Sequence, residues 1–64
     1  MKISTQNFRS MLERSCHHVK HMTATEKAIY HACTLEFQLG CLFIGGDSIE
    51  ISDENYQQLM ILAS

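Results

Sequence analysis

The sequence lacks the features that stabilise secreted and membrane proteins. It holds only three cysteines in 64 residues, an odd number that cannot all pair within one chain. No apolar run approaches the ~20 residues that a membrane-spanning helix needs. The polar residues after Ile3 do not form the apolar centre of a secretory leader. We therefore expect a protein without disulfides that works in the reducing cytoplasm and away from the membrane.

The short length limits the core that this chain can build. A chain of 64 residues forms one domain. Folding at this length buries only about 60 % of the unfolded surface. The core alone then rarely supplies more than roughly 3–5 kcal/mol of stability. Oligomerisation is the first expected source of further stability, and a bound metal is the second.

Basic residues are absent from the second half of the chain. All five Lys and Arg residues and all four histidines lie in residues 1–31, which carry a formal charge of +3. Residues 32–64 carry −5. This asymmetry indicates a basic surface for an anionic partner, or halves that attract each other within or between chains. The simplest alternative is a solvated surface with uneven charge.

A capping box gives the clearest boundary between predicted elements. Glu26 follows Thr23 by three residues, so each side chain can bond the other residue's backbone amide. This arrangement predicts a helix over residues 24–39, with Gly40 at its end. The apolar spacing before Thr23 predicts a preceding helix over residues 5–22, with Ser4 or Thr5 as its cap. So short a link between the two predicts a helical hairpin.

The rest of the chain predicts a hairpin and a last helix. Residues 41–44 are bulky, and residues 49–51 alternate between apolar and polar, so both stretches are typical of strands. Gly45 and Gly46 between them suit a turn with positive φ. Residues 41–51 therefore predict a β-hairpin. Ser52 is a good N-cap for a helix over residues 53–63. Residues 1–64 are thus predicted to be a single α+β domain, mainly helical, in the order α-α-β-β-α.

The second predicted helix is apolar on two sides. One row contains Ala28, Ala32, Leu35 and Leu39, and the other lies one step further round. Such a helix packs between two neighbours: one is the first helix, and the other is the C-terminal segment or a second copy. We expect a homodimer. The residues predicted for self-association are Ile29, Cys33, Phe37, Leu59, Met60 and Leu62.

A metal site is the most tempting reading of the His/Cys-rich region. His17 and His21 are spaced to clamp one zinc ion on a helix, with Cys16 nearby. However, Cys16 lies toward the core edge of the predicted helix, both histidines face away, and no paired CxxC framework is present. We expect histidines that are solvated or wait at the surface for a partner, and otherwise a pH-responsive role. A zinc-binding mini-domain is the less favoured alternative, and no cofactor is expected.

No residues are spaced as a catalytic site. His31 and Cys33 are two positions apart and diverge on a helix, so the histidine cannot activate the thiol. Gly45 and Gly46 lack the lysine and the following helix of a phosphate-binding loop. No paired carboxylates stand in an evident cleft. We therefore expect a protein that is not an enzyme.

These features favour a small interaction module that self-associates and regulates a partner protein, in the manner of bacterial or phage accessory proteins. The alternative is a nucleic-acid-binding transcriptional regulator, because two helices and a hairpin have the layout of a helix-turn-helix with a wing. Five basic residues are few for phosphate binding. The expected interaction surface consists of Arg9, Arg14, His17, Lys20 and His21.

Overall fold

The chain folds into three α-helices and one two-stranded antiparallel sheet. The computed structural model describes the backbone of residues 1–64 and every side chain except those of Phe43 and Ile44. The predicted class is confirmed: the chain is a small, compact, mainly helical domain with a radius of gyration of 11.0 Å. In chain order the elements are β1 (Lys2–Ser4), α1 (Thr5–Cys16), a 3-10 turn (Val19–His21), α2 (Ala24–Leu39), a π-helical segment (Gly40–Ile44), β2 (Ser48–Glu50) and α3 (Asp53–Leu62).

Each α-helix begins at a side-chain cap. The hydroxyls of Ser4 and Ser52 each accept a hydrogen bond, 3.1 Å long, from the amide three residues further on. Thr23 and Glu26 form the predicted capping box: the Glu26 amide donates to Thr23 Oγ1 at 3.2 Å, and the Thr23 amide donates to Glu26 Oε1 at 2.8 Å. Helix α2 therefore begins at the predicted residue. Its α-helical part ends at Leu39, as predicted, but Gly40 has helical angles and does not end the helical run.

Helix α1 is shorter than the predicted helix over residues 5–22. It ends at Cys16, and residues 19–21 form a separate turn. The His17 and His18 amides donate to carbonyls three residues back, at 3.3 and 2.9 Å, in place of the four-residue bonds of an α-helix. These tighter bonds change the direction of the chain before α2 begins.

The sheet is antiparallel, as predicted, but its first strand lies at residues 2–4 and not at residues 41–44. Residues 40–44 continue α2 as a π-helical segment, which the Gly45 amide closes by donating to the Gly40 carbonyl at 2.9 Å. Strand β2 pairs with β1, and Ile3 lies opposite Ile49. Gly45 and Gly46 take the positive φ values, 68° and 85°, that the predicted turn required.

The core lies between the sheet and the inner sides of the helices. Phe8 and Phe37 meet edge to face, with ring centroids 5.3 Å apart. Helix α2 contributes the row that contains Cys33 and Phe37, and α1 and α3 both pack against this helix. The buried apolar residues that contact one another are Ile3, Phe8, Met11, Cys33, Ile49, Ile51, Leu59 and Ala63.

Candidate functional site

One of the two apolar sides of α2 faces solvent. Leu35, Leu39 and Leu42 expose 58 %, 53 % and 78 % of their surface. Ala28 and Ala32 are also exposed. Ala28, Ala32, Leu35 and Leu39 are spaced by steps of four and three, which places them along one side of the α-helix, and Leu42 is exposed on the π-helical segment that continues it. We refer to Ala28, Ala32, Leu35, Leu39 and Leu42 as the exposed stripe.

The opposite side of α2 is held against α3. Cys33 is fully buried, and its Sγ donates to the Asn55 carbonyl at 3.9 Å. The Asn55 side-chain amide donates to the carboxylate of Glu36. Burial, and secondarily the charge of Glu36, raises the pKa of the Cys33 thiol to about 11. This thiol is therefore protonated at neutral pH and lacks the exposure that a nucleophilic cysteine needs.

Most residues predicted for self-association lie inside the chain's own fold. Cys33, Leu59 and Leu62 are buried, and Ile29 and Phe37 are partly buried against the core. Only Met60 of this set is exposed. A second molecule could therefore reach the exposed stripe, but it could not reach most of the residues predicted for self-association. Self-association itself stays a prediction.

The three leucines of the exposed stripe were assigned differently from the sequence. Leu35 and Leu39 belong to a row that was predicted to pack against a neighbouring helix, and Leu42 was placed in a strand. The continuation of α2 through the π-helical segment adds Leu42 to the end of the row. The repeat from Ala28 to Leu39 was the available signal, and the mistaken strand prevented its extension by one more step.

The residues predicted for the basic surface lie on α1 and at the corner that follows it. The guanidinium of Arg9 lies 5.7 Å from the centroid of the Phe37 ring. Arg14 borders a hollow against α3. His17, Lys20 and His21 are exposed at the corner between α1 and α2. His17 lies eight residues beyond Arg9, about 12 Å along a helix axis.

The His/Cys-rich region provides no assembled ligand set. Burial, followed by a side-chain hydrogen bond with Cys16, raises the pKa of Tyr30 above its usual 10.0. His17 and His21 are exposed. Among the side chains that the structure describes, no three His, Cys, Asp or Glu residues come close enough together to hold a metal ion.

Two hollows are among the other concave features of the surface. One, of about 490 Å³, lies at the start of α1, and the other, of about 260 Å³, lies between α1 and α3. Excluding residues 43 and 44, every buried side-chain nitrogen and oxygen has a hydrogen-bond partner. Neither hollow therefore offers a buried polar group that awaits a ligand. The first is lined by Ser4, Thr5, Gln6, Arg9, Gly46 and Asp47. The second is lined by Met11, Arg14, Tyr56, Met60, Ala63 and Ser64.

The described helices include none that is long and apolar enough to cross a membrane. No protein-family model, curated protein or solved structure matches this chain. The exposed stripe is thus the feature of the molecule from which a function can be inferred.

Proposed function

We propose that this protein is a non-enzymatic interaction module, which binds protein through the exposed stripe, self-associates and regulates a partner protein. The observation that supports this most directly is the exposure of Leu35, Leu39 and Leu42 along one side of α2. Polar residues, among them Lys27 and Gln38, flank the stripe and are also exposed. A contiguous apolar surface with a polar rim is typical of a protein-binding site.

A helix is the partner structure that fits this surface best. The stripe is straight and narrow, and it extends from residue 28 to residue 42, which is about 21 Å of helix. An amphipathic helix that lies along it can place its own apolar side chains between the leucines. Each leucine that is covered from its half-exposed state contributes roughly 1 kcal/mol, before the entropy lost on association is subtracted.

Nucleic-acid binding through the basic residues has less support. Phosphate binding needs several cations along one surface. Here Arg9 lies over an aromatic ring, Arg14 borders the hollow against α3, and Lys20 lies beyond the end of α1. These three are the only Lys or Arg residues among the five predicted for this surface.

The proposal can be tested by photocross-linking in the cells that express the full chain. The photoreactive residue p-benzoylphenylalanine replaces Gln38, at the edge of the stripe, or Gln57, which is equally polar and exposed on α3. A protein adduct is expected from position 38 and not from position 57. Adding Leu39→Glu should abolish it, because a charge then lies in the apolar contact.

Either of two results would contradict the proposal. One is the absence of any protein adduct from position 38. The other is an equal yield of the same adducts from positions 38 and 57, which would indicate random collisions with an exposed surface.

A further inference from the structure

We infer that the occupant of the exposed stripe is a second copy of this chain, whose α2 lies antiparallel to the first; this inference rests on the proposed function. Both apolar sides of α2 were expected to have a neighbour. Within the described residues, α1 and α3 both pack on the side that contains Cys33. Neither helix of the same chain therefore covers the exposed stripe.

The sizes of the stripe residues favour the antiparallel arrangement. The side chains are small in the first half of the stripe, at Ala28 and Ala32, and large in the second half, at Leu39 and Leu42. An antiparallel pair that crosses near Leu35 places the alanines of each copy against the leucines of the other. Small and large side chains then alternate across the contact, which keeps two helices close along their length. A parallel pair would place leucines together at one end and leave a gap between alanines at the other.

Charge complementarity favours the same arrangement. Lys27 and His31 lie near the start of α2, beside the stripe, whereas the last turn of α2 holds no basic residue. The carbonyl end of a helix carries a partial negative charge. Antiparallel packing places Lys27 of each copy near the carbonyl end of α2 in the other copy. No basic residue lies in that part of the chain, because residues 32–64 contain no Lys or Arg. Parallel packing would bring the two copies of Lys27 together.

The contact should be of moderate strength, because it is short. Five side chains per copy, along about 21 Å of helix, make a contact below the standard size of stable protein interfaces. A reversible dimer is therefore expected, which forms as the protein concentration rises.

Light scattering on a sizing column tests the second copy directly. The wild-type mass is expected to rise from that of one chain toward that of two over a roughly 100-fold range of concentration. Leu39→Glu should remain at the mass of one chain throughout. The matched control is Ile61→Glu, since Ile61 is 68 % exposed on α3 and lies outside the stripe. It should behave as the wild type does, and circular dichroism should show that both variants are folded.

Disulfide formation tests the orientation. His31 and Gln38 border the stripe on the same edge, because each directly precedes a stripe residue and the step of seven residues between them completes nearly two helical turns. The two-fold axis of an antiparallel pair that crosses near Leu35 brings equal edges together, so position 31 of one copy lies near position 38 of the other. Cys33 is buried and can remain in place.

The disulfide experiment mixes two variants of the full chain, one of them labelled with ¹⁵N. Both carry Cys16→Ser and Cys41→Ser; the first also carries His31→Cys, and the second also carries Gln38→Cys. Mild oxidation should give the mixed disulfide in about ten-fold excess over either disulfide between like chains. Adding Leu39→Glu to both should remove this excess.

The outcomes separate this inference from the proposed function. A wild-type chain that stays monomeric at every concentration, while position 38 is photocross-linked to a different protein, overturns the second copy and self-association, and leaves standing the binding of a partner protein through the exposed stripe. A dimer in which disulfides between like chains form in preference to the mixed disulfide overturns the antiparallel orientation. No protein adduct at position 38, with a monomer in solution, overturns both.

Discussion

The backbone of Gly40 lies directly against the side chain of Ile49. A Cβ atom built at position 40 would be 2.7 Å from Ile49 Cγ2 and 3.1 Å from Ile49 Cγ1. Gly40 has helical angles, φ −61° and ψ −45°, so the backbone conformation does not require glycine there. The close approach does, because Ile49 is 2 % exposed and its β-branched side chain has little room to move. The missing side chain at position 40 thus lets the end of α2 pack onto β2.

Gly40→Ala is expected to destabilise the protein by about 1–3 kcal/mol through overpacking. This loss outweighs the roughly 1 kcal/mol by which alanine is favoured over glycine within a helix. Urea unfolding monitored by circular dichroism measures the difference in the free energy of unfolding.

A double-mutant cycle shows whether the contact is the cause. Ile49→Ala removes both γ carbons that the new methyl group would meet. In that background Gly40→Ala should be neutral or stabilising, because the helix gains alanine and the vacated space accepts its methyl group. An equal loss in both backgrounds would show that the substitution acts through something other than Ile49.

The capping box gives a second prediction. Thr23→Ala should lower the free energy of unfolding by about 1 kcal/mol, since the Glu26 amide loses its acceptor at the start of α2. Thr25→Ala is the matched control, because Thr25 is exposed in the same turn and makes none of the side-chain hydrogen bonds found among the described residues. It should change stability by less than about 0.5 kcal/mol. Similar losses at both positions, measured by urea unfolding, would mean that the cap is not the stabilising contact.

The local parts of the fold were predictable from the sequence, and the distant pairings were not. Thr23 with Glu26, and Ser52 alone, mark helix starts through bonds that span three residues, so a few positions carry the whole signal. Strand β1 is three residues long and shows no extended alternation, and its pairing partner is more than 40 residues away. Residues 41–44 have strand-like composition, yet they continue α2, because Gly40 lets the chain pass close over Ile49.

The candidate site was predictable only in part, because both sides of α2 are apolar. Periodicity identified the row through Leu35 and the row through Cys33, but it could not say which faces the core. The structure shows that α3 selects the Cys33 side, where a small buried thiol and the link between Asn55 and Glu36 admit close packing. That choice depends on contacts between elements distant in sequence, so the exposed side became known only with the fold.

Cys33 makes stability sensitive to high pH. Its thiol has an ordinary pKa of 9.0, which burial raises to about 11 in the folded chain. Between these values the folded chain keeps a proton that the unfolded chain has lost, so this contribution is fully present below about pH 9 and is lost as the pH rises through about 11. The loss should be on the order of 2 kcal/mol. The raised pKa of Tyr30 acts in the same direction above pH 10.0.

Urea unfolding at about pH 8 and about pH 10.5 measures this dependence. Cys33→Ala should show a smaller fall in stability between the two conditions than the wild type. Cys41→Ala is the control, because it also removes a thiol but from an exposed position outside the core. If the fall is the same for all three proteins, Cys33 is not its source.

The two sides of α2 should respond differently to protein concentration. By mass action, dimerisation raises the urea midpoint of the wild type when the concentration rises roughly 100-fold. Leu39→Ala, on the exposed stripe, should match the wild type at low concentration and lose the rise, because it removes a contact made only between chains. Phe37→Leu disturbs the ring contact with Phe8 and should lower the free energy of unfolding by about 1–2 kcal/mol at both concentrations. Its urea midpoint should therefore be lower throughout, but it should still rise with protein concentration. A Leu39→Ala protein that is destabilised equally at both concentrations would instead place Leu39 among the residues that stabilise the single chain.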